Sequence, residues 1–269
     1  MFDTHCHFNL DEFQNDLDFI INASLEKGVG RFLVPGLDKM TSKRSLEISK
    51  RYPGLVFSAV GIHPSYSDQS KPEDIETIVL TNNDSVVAIG EIGLDYYRNY
   101  SPRDIQLTTF KAMVSIAHRH NLPICLHNRD AEEDLLEILS MWYPPITHST
   151  FPTGVFHAFD GSETIADWGI RHGFYFGIGG MVTHKNNTNL QERLCEIGLN
   201  NIVLETDSPY LTPVPFRGER NFPGNLHIII EALSGLLKVD KEVVIKKTDE
   251  NACRLFGLNK KTNKRLFMI

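Results

Sequence analysis

The chain has few cysteines and no long apolar segment. Its four cysteines, in 269 residues, show no CxxC spacing, which is typical of reduced thiols and argues against a disulfide framework. No apolar run approaches the roughly 18 residues that a membrane-spanning helix requires. The N-terminal sequence MFDTHCHF lacks a basic segment followed by an apolar one, so we expect no signal peptide. Together these absences predict a cytoplasmic protein.

Low-complexity segments, Gly/Ser-rich linkers and internal repeats are absent as well. A hydrophobic fraction of 41% and a charged fraction of 23% exclude a disordered chain, a collagen-like chain and a coiled coil. The net charge of -7 argues against nonspecific coating of nucleic acid, unless metal ions and a local basic patch attract phosphate. We predict one monomeric domain over residues 1–269, with a solvated basic tail at residues 259–269.

Short β-rich segments alternate with longer amphipathic ones. Strands are predicted at residues 2–7, 31–35, 55–61, 86–91, 122–127, 154–157, 174–178 and 202–206. A helix is predicted at residues 104–120, with Ser101 as its N-cap and Pro102 in its first turn. Such alternation predicts a parallel sheet, and eight βα units in about 250 residues form a (β/α)8 TIM barrel, an α/β fold. An open doubly wound sheet is the alternative, but it needs a glycine-rich loop after the first strand.

Side chains that commonly bind metal ions stand at the C-terminal ends of five predicted strands. These residues are His5, His7, Glu91, His127, His157 and Asp207. Because the active site of a TIM barrel lies at that end, we expect the six side chains to converge. His5 and His7 are two residues apart on one strand, so both imidazoles point to the same side. The pattern predicts a metal site inside the barrel mouth.

Six such donors are enough for two divalent ions about 3.5–4 Å apart, as in two-metal hydrolases. Imidazole and carboxylate ligands suit Zn, Mn, Fe or Ni, and carboxylates also suit Mg. We expect Glu91 to bridge the ions and Asp207 to take a proton from the attacking water, so both are predicted catalytic residues. Cys6 should point toward the helices. Glu205 either orients a ligand or is a structural carboxylate of the interior.

Seven motifs occur in one order along nearly the whole chain. They are DTHCHF, GIHP, GEIGLDYY, LPICLHNRD, HAFDGS, ETDSPYL and PVPFRGERN. In combination they resemble the TatD family of metal-dependent deoxyribonucleases, which belongs to the amidohydrolase-like group of metal barrels. The resemblance implies a TIM barrel with divalent ions bound by the same six residues.

The resemblance also implies a substrate cleft lined by His63, Arg129 and residues 217–221, including Arg217. Two motifs differ from the usual family pattern. HAFDGS stands where many members have His-Cys-Phe-Ser-Gly, and RGERNFP stands where a lysine and a later glutamate are usual. Glu219 therefore removes positive charge near the expected position of the phosphate.

Three functions compete at this point. The leading hypothesis is a metal-dependent deoxyribonuclease, and because a small cationic mouth on an acidic protein suits strand ends, we expect a 3′-5′ exonuclease. The second is a small-molecule hydrolase of the amidohydrolase group, acting on an amide, ester or lactone. The third is a binding protein on a degenerate barrel, which the complete set of six donors disfavours.

Overall fold

The computed structural model describes residues 1–146 and 153–258, and the tail predicted at residues 259–269 lies outside them. Within the described residues, eight strands form one parallel sheet in which each strand lies beside the next along the chain. They are β1 (Phe2–Asp3), β2 (Arg31–Pro35), β3 (Val56–Val60), β4 (Val86–Asp95), β5 (Ile124–Arg129), β6 (Gly154–Phe156), β7 (Tyr175–Ile178) and β8 (Ile202–Leu204).

Hydrogen bonds between the last strand and the first close the sheet. The backbone N–H of Thr4 donates to the carbonyl of Leu204 at 2.9 Å, and the N–H of Asp207 donates to the carbonyl of His5 at 2.9 Å. The first and last strands are therefore neighbours, as the closed barrel requires. The predicted (β/α)8 TIM barrel is confirmed.

The helices surround the sheet and separate its consecutive strands. They are α1 (Leu17–Glu26), α2 (Lys39–Arg51), α3 (Pro72–Thr81), α4 (Arg103–Arg119), α5 (Glu132–Ser140), α6 (Glu163–His172), α7 (Thr188–Ile197), α8 (Leu226–Leu237) and α9 (Lys241–Leu255). No helix among the described residues combines the length and the apolar character needed to cross a bilayer.

Two strands differ most from their predicted lengths, each by four residues. β4 continues four residues beyond Glu91, because it pairs with β5 as far as the register of Asp95 and Arg129. β1 is short, although a parallel bridge between Cys6 and Ser208 continues its direction. The long β4 extends the sheet on the side where the predicted ligands lie.

The predicted start of the helix after β4 was wrong in its capping residue. Ser101 does not cap α4, because its hydroxyl donates to Asp68 Oδ1 at 2.8 Å. Pro102 is the N-cap residue, without a side-chain cap. A loop contact with an earlier segment therefore replaces the local contact that the sequence suggested.

The apolar core has two layers. One lies between the sheet and the helices and includes Cys6, as predicted. The other fills the barrel interior, where Phe2 contacts Phe57 and Phe256 with ring centroids 5.7 and 5.9 Å apart. Phe256 follows α9, so this last helix closes the N-terminal end of the barrel. The C-terminal end is left for polar side chains.

Candidate metal centre

Two histidines and an aspartate form the first half of the polar cluster. The Nε2 atoms of His5 and His7 lie 3.2 Å apart. Asp207 Oδ1 lies 3.3 Å from His7 Nε2 and 3.9 Å from His5 Nε2. Asp207 has a φ of 55°, in the left-handed region that residues other than glycine seldom adopt. The Nε2 atoms of the two histidines and the Oδ1 atom of Asp207 thus form one buried group of possible metal donors.

Glu91 lies between this half and a second one. Its Oε2 is 3.2 Å from His5 Nε2, whereas its Oε1 is 3.0 Å from His127 Nδ1 and 3.6 Å from His63 Nε2. His63, Glu91 and His127 form a further group of donor atoms within 4.8 Å of one another. The two oxygens of one carboxylate thus face two different groups, which is the arrangement expected of a bridging ligand.

The donor spacing fits a small divalent ion. Around a tetrahedral ion with bonds of about 2.0–2.1 Å, neighbouring donors are about 3.3 Å apart. The separations of His5 from His7 and of His5 from Glu91 are both 3.2 Å. Buried carboxylates and imidazoles this close are costly without a compensating charge. The residues at this end of the barrel therefore fit the divalent ions that the sequence predicted.

His157 joins the first half through its ring. The ring stacks on that of His5 with centroids 3.5 Å apart, and its Nε2 lies 3.5 Å from Asp207 Oδ1. Its Nδ1 lies 2.9 Å from Glu205 Oε1. Burial opposes the charged form of this imidazole, but Glu205 and Asp207 outweigh burial and raise the pKa of His157 to about 10.

The same carboxylate of Glu205 also accepts the backbone N–H of Ala158 at 2.6 Å. Gly177 in β7 makes room for it, because a Cβ at Gly177 would lie only 2.1 Å from Glu205 Oε2. Any larger side chain at this position of β7 would therefore collide with Glu205. Of the two interpretations that the sequence left open for Glu205, the geometry favours the residue that orients His157.

Both acidic donors are ionised near neutral pH. Burial raises the pKa of Glu91, but His63 and His5 outweigh burial and hold this pKa well below its usual range. Burial likewise opposes the charged form of Asp207, and His157 lowers its pKa below the ordinary value. The centre therefore offers negative oxygens to a cation.

Asp95 contacts the centre but was not among the predicted site residues. Its Oδ2 lies 3.1 Å from His127 Nε2, so it holds the ring whose Nδ1 faces Glu91. Its Oδ1 accepts the backbone N–H of Arg98 at 2.7 Å. A signal was present in the sequence, because Asp95 follows Glu91 by four residues and therefore has the same strand parity.

Asp3 is a second residue that sequence reasoning missed. It is fully buried, and its carboxyl accepts the N–H of Thr206 at 3.0 Å, the hydroxyl of Thr206 at 2.6 Å and the N–H of His5 at 3.2 Å. Burial raises the pKa of Asp3 to about 8. These bonds join the first strand to the segment after the last one, and so position His5 against Asp207.

The predicted cleft residues differ in their surroundings. His63 reaches Glu91, as described above. Arg129 ends β5 with its guanidinium 3.9 Å from the ring centroid of Tyr97, and Arg217 is an exposed loop residue. Arg220, in the predicted cleft segment at residues 217–221, forms an ion pair with Asp16. Its charge is therefore partly neutralised.

A parallel barrel with histidines and carboxylates at its C-terminal end is the architecture of metal-dependent barrel hydrolases. Known proteins agree with this class. The family model for TatD related DNase matches residues 2–257. The chain therefore belongs to this family, as the sequence motifs predicted, and is a TatD-type metal-dependent hydrolase acting on ester bonds.

Three similar proteins illustrate the relationship. The uncharacterized metal-dependent hydrolase YabD of Bacillus subtilis is 38% identical over 260 residues, covering 96% of this chain and 100% of that protein. The 3′-5′ ssDNA/RNA exonuclease TatD of Escherichia coli is 32% identical over 265 residues, covering 96% and 99%. The crystal structure of YjjV, a TatD homologue from Escherichia coli, has a TM-score of 0.89 at 26% identity, covering 96% of this chain and 98% of that one.

Proposed function

We propose that this protein is a deoxyribonuclease that removes nucleotides from the 3′ end of single-stranded DNA with the help of two divalent ions. Relatives over 96% of the chain are named 3′-5′ ssDNA/RNA exonucleases. The observation that carries the proposal is the position of Glu91, whose two oxygens face two separate groups of histidines. This arrangement suits a two-metal hydrolase.

His5, His7, His157 and Asp207 would hold the first ion, His127 the second, and Glu91 both. Zn, Mn, Mg, Fe and Ni remain candidates. Bound there, the ions supply positive charge that polarises a phosphoryl oxygen and lowers the pKa of water.

The side chains have distinct parts in this proposal. Asp207 is ionised and accepts the proton of the attacking water. His63 and Arg129 contact the scissile phosphate, since His63 belongs to the second group of donors and Arg129 follows His127 by two residues on β5. Arg217 contacts the DNA from its exposed loop. A monomeric state and a cytoplasmic location stay predictions.

The first experiment uses a 5′-labelled single-stranded DNA oligomer and chelator-treated protein. Addition of Mg, Mn or Zn should produce a ladder that shortens from the 3′ end. Glu91→Ala should lower kcat by about 1000-fold or more, since it removes a ligand from both ions. Glu137→Ala, an exposed carboxylate on α5, is the matched control and should leave the ladder unchanged.

A small-molecule hydrolase is the second candidate. The observation that favours it is the pairing of Arg220 with Asp16, which together with the exposed Glu219 reduces the positive charge available to a long polyanion. Rates on DNA and RNA oligomers and on simple esters, amides and lactones, measured with the same metal, separate the candidates. Metal-dependent ester or amide hydrolysis with intact oligomers would overturn the nuclease proposal.

A further inference from the structure

Exposed tyrosines stand around the mouth of the metal centre. Tyr66, Tyr97, Tyr100 and Tyr210 are 37%, 65%, 65% and 50% exposed, and we call them the tyrosine rim. They follow β3, β4 and β8, so they all lie at the C-terminal end of the barrel. A cluster of large exposed aromatic rings beside a catalytic centre is typical of a binding surface.

The rim reaches both halves of the metal centre. The ring centroid of Tyr210 lies 6.1 Å from that of His7, in the first group of donors. The ring centroid of Tyr66 lies 6.5 Å from that of His63, beside the second group. A planar group that enters the mouth would therefore meet an aromatic ring on either side of the donors.

Two arginines accompany the outer tyrosines. The guanidinium of Arg129 lies 3.9 Å from the ring centroid of Tyr97. That of Arg98 lies 5.9 Å from the ring centroid of Tyr100 and donates to its hydroxyl at 3.2 Å. Burial raises the pKa of Tyr210, whereas the positive charge of Arg98 acts to lower it. Arg98 therefore lies near Tyr210 as well. Positive charge thus lies beside the aromatic surface at Tyr97 and Tyr100.

From these exposed rings and their neighbouring arginines we infer that the tyrosine rim is a stacking surface for the unpaired bases at the end of a single-stranded nucleic acid, with Arg98 and Arg129 binding its phosphates. The inference rests on the proposed nuclease function. Aromatic rings bind bases of any sequence, and arginines track the backbone between them. Bases inside a duplex have both faces covered by their neighbours, so the rim selects single strands.

Binding of a non-cleavable strand tests the inference without requiring turnover. The probes are a fluorescent oligomer with phosphorothioate linkages at its 3′ end and the same oligomer with three abasic 3′ residues. Stacking contributes roughly a 5- to 150-fold gain in affinity per base. We therefore expect wild-type protein to bind the abasic oligomer at least about tenfold more weakly in fluorescence anisotropy.

Tyr210→Leu should raise the Kd for the normal oligomer about 5- to 150-fold and leave that for the abasic oligomer almost unchanged. Tyr210→Phe keeps the ring and should restore the affinity. Tyr100→Leu repeats the test at a more exposed position. Phe19→Leu changes an aromatic residue on α1 that is also exposed, and should bind as wild type does.

Equal affinity of wild-type protein for the two oligomers would overturn the stacking inference, as would equal losses on both in Tyr210→Leu. The nuclease proposal is judged separately, by cleavage of the unmodified oligomer. Base-dependent binding without cleavage would preserve the rim and reject the nuclease, whereas cleavage without base dependence would do the reverse.

Discussion

The two ends of the barrel interior are built by the same strands but bury side chains of opposite character. At the N-terminal end, Phe2, Phe57 and Phe256 pack ring against ring under the last helix. At the C-terminal end, His5 and Glu91 are equally buried, yet they are titratable groups in mutual contact. One end buries apolar surface and stabilises the fold, whereas the other holds charges that favour a bound cation.

This difference shows that burial has opposite consequences for the two ends. An apolar ring gains free energy when it leaves water, so its removal costs stability. A buried carboxylate loses hydration and must be compensated by a partner, so its presence serves the binding of a cation more than the stability of the fold. Changes at one end should therefore leave the property of the other end intact. The predictions below test that separation, from the largest expected effect to the smallest.

Truncation of the apolar end should cost the most free energy of unfolding. Phe256→Ala leaves a cavity beneath the barrel and should lower the free energy of unfolding by about 3–5 kcal/mol. Chemical denaturation measures this loss. kcat and KM per folded molecule should stay within about twofold, and Phe256→Leu should recover much of the stability. A large fall in kcat of folded Phe256→Ala would contradict the separation.

Metal binding should stabilise the protein from the other end. A divalent ion that binds only the folded state at 100 times its Kd adds about 2.7 kcal/mol. Chelation should therefore lower the Tm, and added metal should restore it. Phe256→Ala should gain the same increment as wild type, and Glu91→Ala should lose most of it. A smaller increment in Phe256→Ala would show that the two ends are coupled.

Loss of the carboxylate behind His127 should have an intermediate effect. Asp95 holds the ring at 3.1 Å, and removal of such a partner usually weakens metal affinity or activity about 10- to 100-fold. We expect Asp95→Ala to show this loss in a metal titration. Without metal, the Tm of Asp95→Ala should stay near that of metal-free wild type. Glu137→Ala is the control. Unchanged metal affinity would remove Asp95 from the centre.

An ion pair in the helix layer, between Glu76 and Arg119, should have the smallest effect on the free energy of unfolding, and this effect should depend on pH. Hydrogen bonds from Arg119 and His120 lower the pKa of Glu76, so the carboxylate favours the folded state at pH values above its unfolded pKa. That contribution is lost as the pH falls through the lower folded pKa. Because Glu76 is at the surface, we expect Glu76→Gln to cost less than about 1 kcal/mol at pH 7.

Denaturation near neutral pH and again near pH 4 measures the difference between Glu76→Gln and wild type. It should shrink at the lower pH, because pH 4 lies below the ordinary carboxyl pKa of 4.5, where the contribution starts to be lost. A constant difference would show that the ion pair is not its source. In neither case should catalysis change.

The barrel was predictable because its signals are local. Alternating segments give strands and helices, and parallel strands place their C-terminal ends together. That rule also brought the six predicted donors to one end, where the structure places them. Asp3 and Arg220 were beyond such reasoning, because their partners Thr206 and Asp16 are about two hundred residues away in the chain.

The sequence by itself determined the class of fold and the family, and it predicted a set of donor residues, since strand parity and motif order are properties of the chain. Only the tertiary structure decided how the donors divide, with Glu91 facing two groups and Glu205 and Asp95 behind the histidines. It also decided which charges remain available, because Asp16 engages Arg220. The physical reason is that distances between side chains on different strands depend on barrel closure and packing, which no local pattern specifies.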